Sequence, residues 1–413
     1  MKKGIAMDTM WKKWNEVKLI CQNKRIVLFG RSEDWVHKTL PKLSRPPDYI
    51  IDSNPGYTGT TFHNLNIYPP DKLKTENIDE IYIIITAGPY ESVVSQLEEY
   101  NLQAGKHFCC TPAYYDFKLL QEIHRYDRRI LISSPDYSEK KNHRYSKSGG
   151  GLYICDLISN QIEKKIPGHF RQVMQVDGYI YALEYVEMKL YVLSMDINIV
   201  EKLPLDKPNV CGLAYCPERK LIFISNTGTD TISIYNKEKF RLVDTIEFSD
   251  KYRKRKIGRH HINDICVVED SLYVSYFSLS GNWKRGILDG GIVEFHIDQI
   301  GKPANVLVKN LWMPHSVEFF DGKLTYLDSR RGRFYIGNQN IAGEFPGFMR
   351  GLDYDGRFYY IGQSEDMYMS DLFGISNNIM LNAGFFLFDV DTKVSKFYSF
   401  KDLINVHDIL VLP

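Results

Sequence analysis

One phrase that keeps returning constrains this chain more than any other feature. The stretch Arg259-His-His-Ile-Asn-Asp-Ile-Cys-Val-Val-Glu-Asp-Ser-Leu-Tyr-Val-Ser-Tyr-Phe-Ser278 reads as two short strands around a tight turn at Glu269-Asp270-Ser271, with polar residues at its start. Aligned on the first polar pair, its copies begin at Arg171-Gln172, Cys211-Gly212, Asn263-Asp264, His315-Ser316, Arg350-Gly351 and His407-Asp408. All but the last run through a turn carrying Asp, Gly, Pro or Glu into a second β-rich segment, at 179–184, 220–225, 271–277, 323–328 and 357–362. That is hairpin chemistry. A third strand follows at 189–194, 231–235, 291–296, 333–337 and 384–389, and a weaker fourth closes most units. Units of ~40–50 residues with four strands each are the signature of propeller blades.

The last copy stops after one strand, 407–412, with no partners downstream. The missing strands lie at the front of the repeat region, at 129–133, 151–156 and 161–166. There Gly149-Gly-Gly-Leu-Tyr-Ile-Cys-Asp156 repeats the wording of Asp289-Gly-Gly-Ile-Val-Glu-Phe-His296. The C-terminal strand is therefore expected to complete a blade begun at residue 129. That would close a six-bladed ring over 129–413 and remove the free sheet edge.

Residues 1–115 have another grammar. An amphipathic helix is expected over 7–22, then apolar runs at 24–30, 48–52, 81–86 and 106–110 alternate with helical segments at 35–43 and 90–100. Strands in uninterrupted apolar runs, alternating with helices, predict an α/β domain with a parallel sheet. Residues 116–128 read as a helical linker. The 413 residues suffice for two cores, and the net charge of +1 argues against a general nucleic-acid binder. Seven cysteines without a CxxC pair suggest reduced thiols in the cytoplasm. No signal peptide and no membrane-length apolar run are read, and homo-oligomerisation is left open.

Two resemblances follow. Phe29-Gly30, Tyr49-Ile-Ile-Asp-Ser-Asn-Pro-Gly-Tyr-Thr-Gly59 and Leu65-Asn-Ile-Tyr-Pro-Pro-Asp71 are similar to the small Rossmann-like domains of bacterial sugar-modifying and nucleotide-sugar proteins. The resemblance implies a carbohydrate setting and makes Gly30 and Asp52 the candidate nucleotide contacts. The turn Gly30-Arg31-Ser32-Glu33-Asp34 departs from G-x-G-x-x-G and brings negative charge, which argues against a dinucleotide. Asp52 also suits a strand-end turn with Asn54-Pro55. The propeller resembles six-bladed rings of the gluconolactonase, strictosidine-synthase and NHL-repeat type, and uncharacterised bacterial propellers. Lactonase-type relatives hold a metal with a Glu/Asn/Asp set, which the spacing here does not reproduce.

In a propeller, the starts of innermost strands and the ends of second strands meet on one face. That face inherits His261, Asn263, Asp264, His315, Arg350, His407 and Asp408, together with Glu184, Asn226, Asp328 and Gln363. Three readings stand side by side. Glu184, Asn226, Asp264 or Asp328 suit a divalent metal. His261, His315 or His407, with Asp264, suit proton transfer. Any of them suits the mere satisfaction of loop backbone. Loops expected on the same face add Lys140, Lys141, His143, Arg144 and Lys147, the run from Lys251 to Arg259, then Lys284, Arg285, Arg330, Arg331 and Arg333. Such a basic rim attracts anions and offers guanidinium forks. Tyr137, Tyr145, Tyr252, Tyr276, Trp283 and Phe348 are interleaved and could stack on a sugar or base. The leading expectation is an enzyme acting on a small anionic, sugar-like substrate, phosphorylated or nucleotide-linked, in surface-polysaccharide or related metabolism. Arg171, Arg259, Asn263, Arg330, Arg350 and Asp408 would bind it. The alternatives are a non-catalytic platform for an acidic protein or nucleic acid, and a lactonase-like metal hydrolase.

Overall fold

The uninterrupted apolar runs of the N-terminal part form a sheet buried on both sides. In the computed structural model, which describes residues 10–140, 144–249, 251, 258–299, 305–365 and 378–413, the chain divides into two units, Met1–Glu122 and Ile123–Pro413. In the first unit, Arg25–Phe29 pairs in parallel with Tyr49–Ile51 on one side and Ile81–Ile85 on the other, and Phe108–Cys110 follows. Leu65–Tyr68 extends the other edge and makes a hairpin with Thr61–Phe62. Alternate residues serve two cores. Val27, Phe29, Ile83 and Ile85 pack with Tyr90, Val93 and Leu97 of the helix Tyr90–Glu99. Ile26, Leu28, Tyr82 and Ile84 pack with Val17 and Val36 from the helices Trp14–Ile20 and Glu33–Thr39. Both faces are covered, so no polar alternation survives in the strands. The expected helix over 7–22 is found at Trp14–Ile20, and residues 7–9 lie outside the described residues.

Gly30 and Asp52, expected as nucleotide contacts, have structural tasks in the turn they stand in. Gly30 has φ +104°, and a Cβ there would lie 2.3 Å from the Cβ of Ala87. The glycine lets two chain segments cross. Asp52 accepts from Arg31 N at 3.0 Å and from Asn54 N at 2.9 Å, capping its own loop.

The second unit is a six-bladed β-propeller. Each blade is a four-stranded sheet, and the sixth takes its innermost strand, Asp408–Leu412, from the C-terminus. That strand pairs antiparallel with Arg129–Ser134, Asp408 opposite Ser133 and Leu412 opposite Arg129. The other innermost strands are Phe170–Val176, Val210–Cys216, Ile262–Val268, Pro314–Phe320 and Phe348–Tyr354, and each contacts the next around the ring. Burial falls outward: Phe348–Tyr354 is buried along most of its length, whereas Ile199–Pro204, outermost in the first blade, is exposed along most of it. No helix among the described residues is long and apolar enough to cross a membrane.

The polar pairs of the repeat coincide with a backbone irregularity. In each of the first five innermost strands the ladder to the second strand breaks where the pair stands: between Phe170 and Val173, Val210 and Leu213, Ile262 and Ile265, His315 and Glu318, and Met349 and Leu352. A break of this kind frees backbone groups and re-aims side chains. At every boundary a side chain reaches a backbone group of the neighbouring blade. Leu213 N donates to Gln172 Oε1 at 2.6 Å, and Ser225 Oγ donates to Asn263 O. Ser316 N donates to Asp264 Oδ2 at 2.6 Å, and Gly351 N to Ser316 Oγ at 2.9 Å. Val411 N donates to Asp353 Oδ2 at 2.6 Å, and Val173 N to Asp408 Oδ2 at 2.9 Å. In this circle Asp264, expected to transfer protons, and Asp408, expected to bind substrate, each hold a neighbouring blade. Gly351, at φ +78°, is needed because a Cβ would come within 2.9 Å of Asp408 Cα.

Candidate functional site

While the second members Gln172, Asp264, Ser316 and Asp408 serve the neighbouring blade, the first member of each pair gathers at the axis. These residues are Arg171, Cys211, Asn263, His315, Arg350 and His407, all buried. Arg350 Nε donates to His315 Nε2 at 3.1 Å, and its Nη1 donates to Asn405 Oδ1 at 3.1 Å. Arg171 Nη1 donates to Val210 O at 2.9 Å, and the guanidinium lies 4.2 Å over the Tyr185 ring. The Cys211 thiol donates to Asn263 Oδ1 and sits 3.7 Å from His407 Nε2. Phe277 lies between His261 and His315, with ring centres 4.2 and 5.3 Å apart, and Phe348 is 5.6 Å from His315. Tyr137 and Tyr185 join hydroxyls at 2.7 Å, and His169 packs 4.4 Å from Tyr137.

The cluster is cationic and buried. Among the described residues, neither Arg171 nor Arg350 has a carboxylate partner. An isolated buried charge is expensive in a low-dielectric interior. The neighbours record the strain. Burial, then Arg171 and Arg350, push His261 down to about 3. Burial followed by Arg350 holds His315 and His407 well below the imidazole range. Burial and the nearby Arg144 push Arg350 itself down to about 10. Burial raises Asp264 to about 6, although Ser316 N, Arg350 and Arg171 oppose the rise.

The three expected proton-transfer histidines differ. His315 Nδ1 lies 2.9 Å from the Met313 carbonyl and 2.7 Å from Ser329 Oγ. A carbonyl only accepts, so Nδ1 carries the proton, and Nε2 accepts from Arg350. Both nitrogens are engaged, and His315 holds Arg350 in place. His407 has Nε2 beside the Cys211 thiol and a buried Nδ1 without a partner. His261 forms no ring hydrogen bond among the described residues, keeps accessible surface, and rests against Phe277 and Trp283 at 4.2 and 4.8 Å.

The remaining expectations divide. Asn263 is in the cluster through Cys211. Arg330 is buried, 5.8 Å over Trp312, and Arg259 is half-buried with its backbone N on Asp230. The three expected metal ligands have separate tasks. Glu184 caps His169 N at 2.7 Å and Glu187 N in the first blade. Asn226 Nδ2 donates to Ile224 O, Thr231 O and Ser233 Oγ in the second. Asp328 accepts from Trp312 N at 2.7 Å and pairs with Arg331 at 3.0 Å in the fourth. Among the described residues no group of three His, Cys, Asp or Glu is placed to hold a metal ion. On the rim, Arg331 is neutralised by Asp328 and Arg333 by Glu344, while Lys140, Lys147, Lys284 and Arg285 are exposed. Lys141, His143 and the run 252–257 with Tyr252 lie outside the described residues. Sequence reasoning missed Cys211 and Asn405 as members of the cluster. Cys211 had a signal, since it fills the slot that holds Arg171 and Arg350 in other copies. Asn405 had none.

Residues 215–413 match a family described as a domain of unknown function, DUF4915. No curated protein matches the sequence. Among solved structures, a chain of a nidogen/laminin complex is similar at 12% identity, covering 70% of this chain and 98% of that one, with a TM-score of 0.47. A protein of unknown function from Bacteroides caccae is similar at 12% identity, covering 69% of this chain and 99% of that one, with a TM-score of 0.46. A calcium-binding protein, regucalcin, from Agrobacterium tumefaciens is similar at 13% identity, with coverages of 54% and 71% and a TM-score of 0.37.

Proposed function

We propose that the propeller channel binds a small oxyanion, the phosphate or carboxylate of a sugar-like metabolite, and that the chain is an enzyme acting on it. The observation that carries the reading is the pair of buried guanidiniums, Arg171 and Arg350, without a carboxylate partner among the described residues. A fold keeps such charges where a ligand supplies the countercharge, and guanidinium forks match phosphate and carboxylate geometry. Tyr185 under Arg171, Tyr137 beside it, and Trp283 against His261 give walls on which a sugar ring can lie. His315 and Asn405 fix Arg350 before a ligand arrives, which lowers the ordering cost of binding. In the metal-hydrolase alternative, Glu184 and Asp328 would have to combine metal binding with the backbone and arginine contacts that they make here. We read the parallel N-terminal sheet as a Rossmann-like module without a nucleotide crevice, and the setting as carbohydrate metabolism in a bacterial cytoplasm.

Thermal-shift titration with sulfate, hexose phosphates and aldonates tests this. Binding to the native state raises the melting temperature by mass action. Wild type is expected to shift. Arg171→Met, which retains the packing on Tyr185 but loses the charge, is expected to weaken binding at least ~10-fold, as loss of a charge-assisted contact does. Without ligand its melting temperature should equal or exceed that of wild type, because a desolvated charge is gone. Equal anion affinity in the two proteins would defeat the assignment. Capture of an acidic protein by a channel that ignores every small anion would favour the platform alternative.

A further inference from the structure

We propose that His261 is the proton-exchanging group of the channel, and that a dianion docking against Arg171 and Arg350 draws a proton onto its imidazole. The inference rests on the anion reading above and narrows the ligand to one carrying two negative charges. Of the histidines near the axis, His315 has both ring nitrogens engaged, and His407 has one beside a thiol and the other sealed in the interior. His261 alone of the three keeps accessible surface and forms no ring hydrogen bond among the described residues. Its ring lies against Phe277, which also contacts His315, the residue that holds Arg350, so the imidazole borders the guanidinium cluster. Its backbone sits at φ +52°, the left-handed shape that Asn209 and Met313 share at the entries of two other innermost strands.

The charges around the ring come from several elements. Arg171 stands on the first blade's innermost strand and Arg350 on the fifth's. Arg144 and Lys284 belong to loops, and His315 lies across Phe277. The acid nearest these groups, Asp264, is already bonded to Ser316 N. With the channel empty, these cations and burial keep the imidazole neutral. A dianion offsets the charges of Arg171 and Arg350, and an opposite charge nearby favours the protonated ring. The balance is one dianion plus one solvent proton giving a complex with imidazolium beside the bound oxyanion. In turnover that imidazolium is a proton donor positioned at the ligand.

Calorimetric titration of the full chain with sulfate, which does not itself titrate near neutrality, tests the proposal when repeated in two buffers of different ionisation heat. The expected result is net proton uptake on binding, with affinity weakening as pH rises by up to ~10-fold per unit. His261→Asn, whose side chain tolerates a left-handed backbone, is expected to bind sulfate without uptake and with a flat pH profile. Wild-type binding without uptake would overturn the inference. So would uptake that persists in H261N, since it would assign the proton to His407 or Asp264. No sulfate binding by wild type would overturn the anion reading itself, and this inference with it.

Discussion

A chain that ends at His407 is expected to lose the cooperative unfolding transition of its propeller. Residues 408–412 supply the innermost strand of the sixth blade, and every residue in them is paired with Arg129–Ser133. Removing them exposes the partners of the buried Ile409 and Leu412. It also breaks two latches: Val173 N loses Asp408 Oδ2, and Asp353 Oδ2 loses Val411 N. Two buried aliphatic side chains at about 1.5–3 kcal/mol each and two buried latches at about 1–3 kcal/mol each sum to the order of a whole domain's stability, about 5–15 kcal/mol. The deletion also leaves a bare strand edge facing the axis, a template for association. Far-UV circular dichroism and thermal melting of the truncated chain check this. Melting within a few degrees of wild type would show that the seam does not hold the ring. A milder version is Asp408→Ala, which removes one latch and is expected to cost about 1–3 kcal/mol.

The ring was legible because its signals are local. Alternating apolar residues, turn residues and a returning polar pair can all be read from neighbours in sequence. The division of labour inside each pair was not legible. In Asn263-Asp264 the first residue meets Cys211 at the axis and the second holds the next blade. Both are polar, adjacent and buried, and only the break in the ladder separates their directions. The same limit applies to His315. Its bond to Arg350 joins residues of adjacent blades, and nothing in the local pattern announces it. A thiol among apolar neighbours reads as a small hydrophobe, so Cys211 passed for core. The ends of the second strands were placed on one face, yet Glu184, Asn226 and Asp328 each turn to their own blade's loops. Charge counted along a loop also misleads, because Arg331 and Arg333 find Asp328 and Glu344 only once the strands pair.

Replacing Glu318 with Gln is expected to stabilise the protein at pH 8 and to leave it nearly unchanged at pH 4. Glu318 stands on the fourth blade's innermost strand, four residues after Pro314. Burial, then the charges of Asp353 and Asp264, push its carboxyl up to about 8. Burial first of all also raises Asp353 and Asp264, each to about 6, and Asp408 well above the carboxylate range. These acids approach one another at the axis because the latches require acceptors there. The sign follows from linkage. A carboxyl whose folded pKa exceeds its unfolded value binds more protons in the native state, so stability falls as pH rises through that interval. For Glu318 the interval runs from its ordinary value of 4.5 to about 8. Below it both states are protonated, and above it the full penalty applies. Gln keeps an acceptor and the shape while removing the titration, and its amide can still meet Gln172, whose Nε2 lies 3.5 Å from Glu318 Oε1. Allowing for the part of Glu318 that retains accessible surface, the gain at pH 8 is on the order of 2 kcal/mol. Urea midpoints of wild type and Glu318→Gln at pH 4, 6 and 8 measure it. Wild type should weaken more steeply than the variant over that range, and the variant's remaining slope should reflect Asp264, Asp353 and Asp408, which still titrate as a coupled set. Parallel pH profiles for the two proteins would mean that Glu318 is ionised and solvated in the native channel, and that the axis is wet where these contacts make it dry.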